Sequence, residues 1–361
     1  MRYVLLGDAE SPHLLKWARA LVAVPPIELW VASSRGFAPG FDAVVPAARR
    51  LALRTRPRAG GDNLGVLRHL PVLARWLKQV DAAWIHAHYL TSHGTLAWLA
   101  QRWFGVGGRL VASAWGSDIL VTPQRSAVAR VLTRQVLRAC VLATSDSKFM
   151  ATRMRALGAA EVMVFPFGLE ALPPPPGPKD DDLFFANRGL EPLYDPQRVL
   201  AFFQAATDSH ARLVVANGGS LKATLQDDVE ALGLGERVCF VGWLDAAAQA
   251  AWYAKARWYI SLPRSDSVAV SVLEAMGHGC VPLLSDLPAN RELVRDGDNG
   301  LIVTQGASVD DLSAAMKSLL ARADSIATDN RQWVADHALF APCVQRFVAR
   351  LRLLAPAPFA T

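Results

Sequence analysis

Residues 265–303 read SDSVAVSVLEAMGHGCVPLLSDLPANRELVRDGDNGLIV, and two acids in this run, Asp266 and Glu274, stand with seven residues between them. The apolar run 258–262 just before it predicts a buried strand, which leaves Asp266 in the following loop. Ser271 is suited to cap a helix that runs through Glu274 to Gly277, with Gly279 as its stop. A strand at 281–284, a short helix at 289–294, a turn at 296–300 and a strand at 301–303 follow. That alternation predicts an α/β protein with a parallel sheet, in which loops at the carboxyl ends of the strands hold the ligand. A helix beginning near Ser271 offers unpaired N–H groups and the positive end of its dipole to an anion such as a phosphate. Glu274, one turn in, is then placed to reach a pair of hydroxyls. The same two residues also fit the S-x-x-E capping box, in which the glutamate bonds only the cap residue's own N–H. Spacing alone does not separate the two readings.

At 361 residues the chain is long for one core, so two domains are expected, and 52% apolar content supports them. Four cysteines lie far apart without metal-type spacing, which predicts buried thiols in a reducing, cytoplasmic setting. The opening MRYVLLGD reads as a strand that meets an acid, not as a signal peptide, and no run reads as a membrane span. Net charge is +6, but residues 1–165 carry +12 and the remainder −6. A basic first half predicts an anionic partner for that half alone: a phospholipid surface, a lipid-linked phosphate or nucleic acid.

The first strand, 3–6, leads through Gly7 and Asp8 to a helix containing His13, without the G-x-G-x-x-G that a dinucleotide needs. His13 either points into a cleft or is structural. Residues 63–80 repeat leucines at helical spacing with Arg68, Arg75 and Lys78 between them, behind the basic run Arg49, Arg50, Arg54, Arg56 and Arg58. This stretch is either an amphipathic segment lying on an anionic membrane or a core helix with a basic outer face. Pro71 kinks it or marks its start.

A strand at 83–85 runs into His86, His88 and His93; the spacing disfavours zinc, and His86 or His88 is better read as lining a cleft. A strand at 109–113 ends at Trp115-Gly116-Ser117-Asp118, where Asp118 is either an active-site acid or a turn cap. Residues 126–140 predict a helix with Val128, Val131, Leu132, Val136 and Ala139 inward and Arg130, Arg134 and Arg138 as a solvated stripe.

Leu172-Pro173-Pro174-Pro175-Pro176-Gly177-Pro178 is an extended linker, and Asp180, Asp181 and Asp182 beside it read as solvated. Beyond it, Arg188 follows a strand at 183–186, where a guanidinium suits bidentate phosphate recognition. Gly218 and Gly219, after a strand at 213–216, let the backbone approach a ligand, and Gly242-Trp243 follow a strand at 238–241. Helices are expected at 308–321 and 330–354.

The run DSVAVSVLEAMGHGCVPLLSD from Asp266, followed by ELVRDGDNGLIV from Glu292, resembles the signature of the glycosyltransferase family 4 group. The resemblance covers nearly the whole chain, with its specific part at 266–303. It implies the GT-B fold: two Rossmann-like domains facing a central cleft, with the C-terminal helix crossing back to the first domain. The expected domains are 1–170 for the acceptor, 171–182 as linker, 183–340 for the nucleotide-sugar, and 341–361 as the crossing helix.

The implied reaction moves a sugar, with retention, from a nucleotide-diphosphate sugar to a hydroxyl of a glycan or lipid-pyrophosphate-linked acceptor, with no metal. It is expected in surface polysaccharide assembly, in the cytoplasm, with peripheral contact to the inner face of the plasma membrane. By the same resemblance Arg188, Ser271 and Val272 hold the donor diphosphate and Glu274 the ribose. Asp266, in place of the usual glutamate, holds the transferred sugar, and Asp118 orients sugar or acceptor. Gly219 and Gly242 line the donor side, His13 and His88 the acceptor side. The family's usual lysine after Arg188 is absent, so Tyr194 or Lys222 takes its part, and Trp115 stands where many members have histidine. Two rivals are an epimerase or phosphorylase on the same fold and a non-catalytic nucleotide- or lipid-binding subunit. Nucleic acid is disfavoured because the basic half lacks an interleaved aromatic-and-basic motif.

Overall fold

A computed structural model describes residues 1–55 and 67–355. Arg56, Arg58 and residues 63–66 of the expected basic helix lie outside the described residues. The chain divides into two compact units, Met1–Phe165 with Phe340–Thr361, and Pro166–Leu339.

The first unit is a parallel sheet of, among the described residues, seven strands: β1 (Arg2–Ala9), β2 (Glu28–Phe37), β3 (Arg50–Ala52), β4 (Trp84–His88), β5 (Arg109–Ser113), β6 (Cys140–Ser145) and β7 (Val162–Val164). Their spatial order is β3-β2-β1-β4-β5-β6-β7, so the direction of winding reverses between β1 and β4. In doubly wound sheets ligands bind outside the carboxyl ends of strands at such a reversal. Val4 and Leu6 of β1 join one core with Ile85, Ala87, Leu110 and Ala112, beneath the helices Leu70–Val80, Thr95–Phe104 and Ala127–Ala139.

Tyr3 of β1 turns the other way and, with His86, faces the helices Pro12–Val22 and Phe340–Leu354. Trp17 lies 4.9 Å from the His86 ring, 5.0 Å from Phe340 and 5.5 Å from Phe347. The last helix is thus built into the first unit, and Arg350 fixes it further with a fork onto Glu161 at 2.6 and 2.7 Å.

The second unit holds β8 (Asp180–Ala186), β9 (Arg212–Ala216), β10 (Val238–Gly242), β11 (Ala256–Ser261), β12 (Val281–Ser285) and β13 (Leu301–Val303). The order is β10-β9-β8-β11-β12-β13, all parallel, with the reversal between β8 and β11.

Several expectations change. The helix at 127–139 buries Thr133, Val136 and Leu137, whereas Val128 and Val131 are 70% and 55% exposed. The helical phase that meets the sheet runs one position away from the two valines. The helix Leu70–Val80 carries Pro71 in its first turn, where the missing N–H costs nothing, so Pro71 marks the start. Its apolar stripe, Leu70, Leu73, Ala74, Leu77 and Val80, is buried in the core and is not available to a membrane. The expected 330–354 helix is two, Ala323–His337 and Phe340–Leu354, because the Ala338 carbonyl leaves the helix to accept the Leu169 N–H at 2.9 Å. Asp180, Asp181 and Asp182 belong to β8 rather than the linker, and Asp181 accepts from Arg257 at 2.7 Å. The 289–294 helix is a 3-10 turn, Asn290–Glu292.

Candidate active site

The second sheet's reversal brings together the loops after β8 and β11, and therefore Arg188 and Asp266. Arg188 Nη2 donates to Asp266 Oδ2 at 2.5 Å and Nη1 to Ser271 Oγ at 3.1 Å, while the guanidinium carbon lies 4.5 Å from the Tyr194 ring centre. Burial pulls the Arg188 guanidinium down, but Asp266 and the surrounding tyrosines hold it above its ordinary value. Burial lifts the Asp266 carboxyl above its usual range although Arg188 and the Ser267 N–H pull the other way. Arg188 is thus a fixed positive group held against the end of a helix by one acid and one hydroxyl.

That helix, Val270–Gly277, is capped by Ala269, whose extended backbone starts it two residues before Ser271 and without a side-chain cap bond. Ser271 is therefore inside the helix and the capping box does not form. Its hydroxyl instead receives Arg188 and lies 2.8 Å from the Tyr259 hydroxyl. The Val272 N–H is already bonded to the Ala269 carbonyl at 3.1 Å and the side chain is buried, so Val272 does not present itself to a ligand. The amides of Val270 and Ser271 precede it at the helix end.

Glu274 lies one turn further on, with Oε2 accepting from the Tyr253 hydroxyl at 3.2 Å. The capping alternative for Glu274 falls with the helix start.

Three residues not singled out in the sequence tie this constellation together. Asn187 donates from Nδ2 to the Tyr253 hydroxyl and to Gln249 Oε1, both at 2.7 Å, and its Oδ1 lies 2.9 Å from the Tyr259 hydroxyl. Tyr253 also reaches the Ser271 carbonyl at 3.2 Å. The resulting chain runs from Arg188 through Ser271, Tyr259, Asn187 and Tyr253 to Glu274. One signal was available: a tyrosine inside the buried run 258–262 must find a partner for its hydroxyl.

The loop after β9 packs on the loop after β8. Leu190 exchanges backbone bonds with Gly218 at 2.9 Å and Leu221 at 3.0 Å, and Glu191 accepts from the Ser220 N–H at 2.9 Å and hydroxyl at 2.5 Å. A Cβ on Gly219 would strike the Leu190 carbonyl, so this glycine permits two loops to touch. Gly218 beside it has open space. Tyr194, rather than a lysine, stands at Arg188; Lys222 is exposed at the start of the helix Lys222–Ala231. Gly242 ends β10 at φ 71°, and the next side chain, Trp243, is 76% exposed.

In the first unit the reversal between β1 and β4 gathers His13, His88 and Trp115. Trp115 Nε1 donates to His88 Nδ1 at 3.0 Å, which puts the proton of the neutral ring on Nε2; the His13 ring lies 4.9 Å from Trp115, tilted by 39°. Burial, then His86, His93 and His13, keep His88 well below its usual pKa. His86 is held inside the sheet between Tyr3 at 2.8 Å and Ser113 at 2.7 Å, and does not line a cleft. Asp118 is 1% exposed, and its two oxygens accept the N–H groups of Leu90 and Trp115, each at 2.9 Å. The geometry is that of a turn cap, through which Asp118 holds Trp115 in place. Tyr89, at φ 65°, opens the π-helix Tyr89–Gly94 and stacks 6.0 Å from Trp115.

Two family models match the chain: glycosyl transferase 4-like over residues 3–147 and glycosyl transferases group 1 over residues 170–332. A curated protein of Bacillus subtilis (strain 168), provisionally assigned as the glycosyltransferase EpsD, is 31% identical over 97 residues. That match takes in 27% of this chain and 25% of the relative. Among solved structures, HepE of Anabaena in complex with UDP and glucose aligns at TM-score 0.79 and 16% identity, covering 98% of this chain and 99% of that one. Sucrose-phosphate synthase from Thermosynechococcus elongatus aligns at TM-score 0.81 and 13% identity, over 98% and 100%. At these identities the structural likeness is one of fold.

Proposed function

The chain belongs to the GT-B glycosyltransferases, a group 1 domain following a 4-like domain, and we propose that it moves a sugar, with retention, from a nucleoside-diphosphate sugar to an acceptor hydroxyl. The acceptor is a glycan or lipid-pyrophosphate-linked glycan at a membrane surface, in assembly of a surface polysaccharide. HepE, solved with UDP and with UDP-glucose, makes a uridine donor the first to try.

The observation that carries the reading is Arg188 clamped between Asp266 and Ser271 at the N-terminal turn of the helix bearing Glu274. The Val270 and Ser271 amides, the helix dipole and Arg188 offer positive potential to a diphosphate from one side. As the bond between sugar and diphosphate breaks, negative charge grows on the departing phosphate, and groups already fixed there stabilise it without reorganising. We assign that neutralisation to the guanidinium and the helix end rather than to a metal ion. Glu274, aimed by Tyr253, takes the ribose hydroxyls, and Asp266 takes the sugar on the other side of Arg188. His13, His88 and Trp115 belong to the acceptor side, with Asp118 as the residue that positions Trp115.

Calorimetric titration with uridine, guanosine and adenosine diphosphates, on wild type and on Glu274→Ala, tests the donor site. A base-selective diphosphate that binds wild type and is lost in the variant supports it; equal binding by both sinks it.

A further inference from the structure

The helices Leu70–Val80, Thr95–Phe104 and Ala127–Ala139 lie side by side over one face of the first sheet, the first touching the second and the second the third. Their inward residues form one core, and their outward residues carry a pattern that the transfer reaction does not use. Val72, Trp103, Val128 and Val131 are 47%, 67%, 70% and 55% exposed. Around them, residues 67–139 contain nine Lys+Arg against two Asp, and one of these, Asp118, is buried. Arg75, Lys78, Arg102, Arg125, Arg134 and Arg138 are all exposed. An ordinary solvated helix face mixes both signs of charge and hides its valines.

We propose that this outer face docks the protein on an anionic phospholipid bilayer. Val128 and Val131, one helical turn apart, enter the headgroup layer, and the arginines beside them meet lipid phosphates. This deepens the membrane part of the proposed function by naming the surface. Two valines alone bury too little to hold a protein on a bilayer, so the cations must act with them, each strengthening partition about fivefold near an anionic surface. The alternative of a second copy seated here brings arginines against arginines around a symmetric contact. An acidic protein accounts for the charge but not for valines and a tryptophan standing exposed among the cations, a composition that suits the headgroup layer of a bilayer.

The test is flotation of the full-length protein with vesicles of phosphatidylglycerol and phosphatidylethanolamine, against vesicles of phosphatidylcholine alone, at low and raised salt. Wild type should float only with the anionic vesicles and less at raised salt. Val128→Asp with Val131→Asp should abolish flotation, and Arg75→Gln and Arg134→Gln should each weaken it about fivefold, with unchanged thermal melts because all four side chains are exposed. Failure to float, equal flotation with neutral vesicles, or flotation indifferent to the valine substitutions overturns the proposal. So does a wild-type dimer in solution that the valine substitutions dissolve. Vesicle binding needs no nucleotide, so a protein that binds nucleotide but no vesicles removes this proposal and leaves the donor site standing.

Discussion

Arg188 and Asp266 meet as an ion pair, Nη2 to Oδ2 at 2.5 Å, with each side chain 18% exposed. In the proposed reaction this acid has two opposed effects. It holds the guanidinium beside the helix end, and its own charge repels the diphosphate that the guanidinium must bind. Substituting Asp266→Asn keeps the shape and removes the charge. The expected outcome is a diphosphate that binds about fivefold tighter, the roughly 1 kcal/mol of removing one like charge beside it in a solvent-reached cleft, while transfer falls at least tenfold. Calorimetric Kd and steady-state kcat measured on the same preparation check this. Weaker diphosphate binding in the variant would mean that Asp266 is needed to keep Arg188 in position.

Glu274 does not close a capping box with Ser271, since the helix begins at Val270 after Ala269 and Ser271 lies inside it. Glu274→Ala should therefore leave the fold nearly unchanged, within about 1 kcal/mol, because the Tyr253 hydroxyl keeps Asn187 and the Ser271 carbonyl as partners. Nucleotide affinity should fall about 30- to 100-fold, as for a lost hydrogen bond to a charged group. Denaturant midpoints beside binding isotherms separate the two effects. A large loss of stability would restore a structural role for the carboxylate.

Gly218 and Gly219 are adjacent and differ in what surrounds them. Gly219→Ala puts a methyl onto the Leu190 carbonyl and forces the two loops apart, so it should destabilise by about 1–3 kcal/mol and weaken nucleotide binding with it. Gly218→Ala meets nothing within 4 Å and should be neutral in both respects. Comparing the two variants in urea, then by titration, is decisive, since flexibility alone would make them behave alike.

Much of this site was legible from spacing. Asp266, Glu274 and Arg188 fall in the loop, helix and strand end where the reading puts them, because hydrophobic period and glycine stops fix which residues follow a strand. What did not show was the helix start. Ala269 has only a methyl group and so advertises no cap, whereas the Ser271 hydroxyl does. Tyr253, Tyr259 and Asn187 stayed hidden because their roles depend on three separate elements meeting, which no local spacing encodes. Val128 and Val131 differ for a related reason: hydrophobic identity does not by itself mean burial, and tertiary packing decides which of two adjacent helical phases faces the sheet.

Asp118 offers the clearest pH dependence. Its carboxyl is pushed up to about 6 by burial, although the N–H groups of Leu90 and Trp115 favour the charged form and offset part of the shift. The ordinary value, about 3.8, applies to the unfolded chain. Between these two values the folded protein binds more protons than the unfolded one, so the contribution of this group to stability falls as pH rises from about 4 to about 6 and is level above that. The size is about 3 kcal/mol at 1.36 kcal/mol per pKa unit. Buried His86 and His88 act in the opposite sense over an overlapping range, since both are held neutral, so the whole-protein profile does not isolate Asp118. The difference between wild type and Asp118→Asn does. The variant cannot ionise, and its amide replaces one of the two acceptors with a donor, so it should be less stable than wild type at pH 4. That gap should close by about 3 kcal/mol as pH rises to 7, because only wild type pays for a buried charge there. Urea midpoints at half-unit pH steps measure it. A gap that is constant with pH would mean Asp118 is ionised throughout and solvated in a way that its 1% exposure does not suggest.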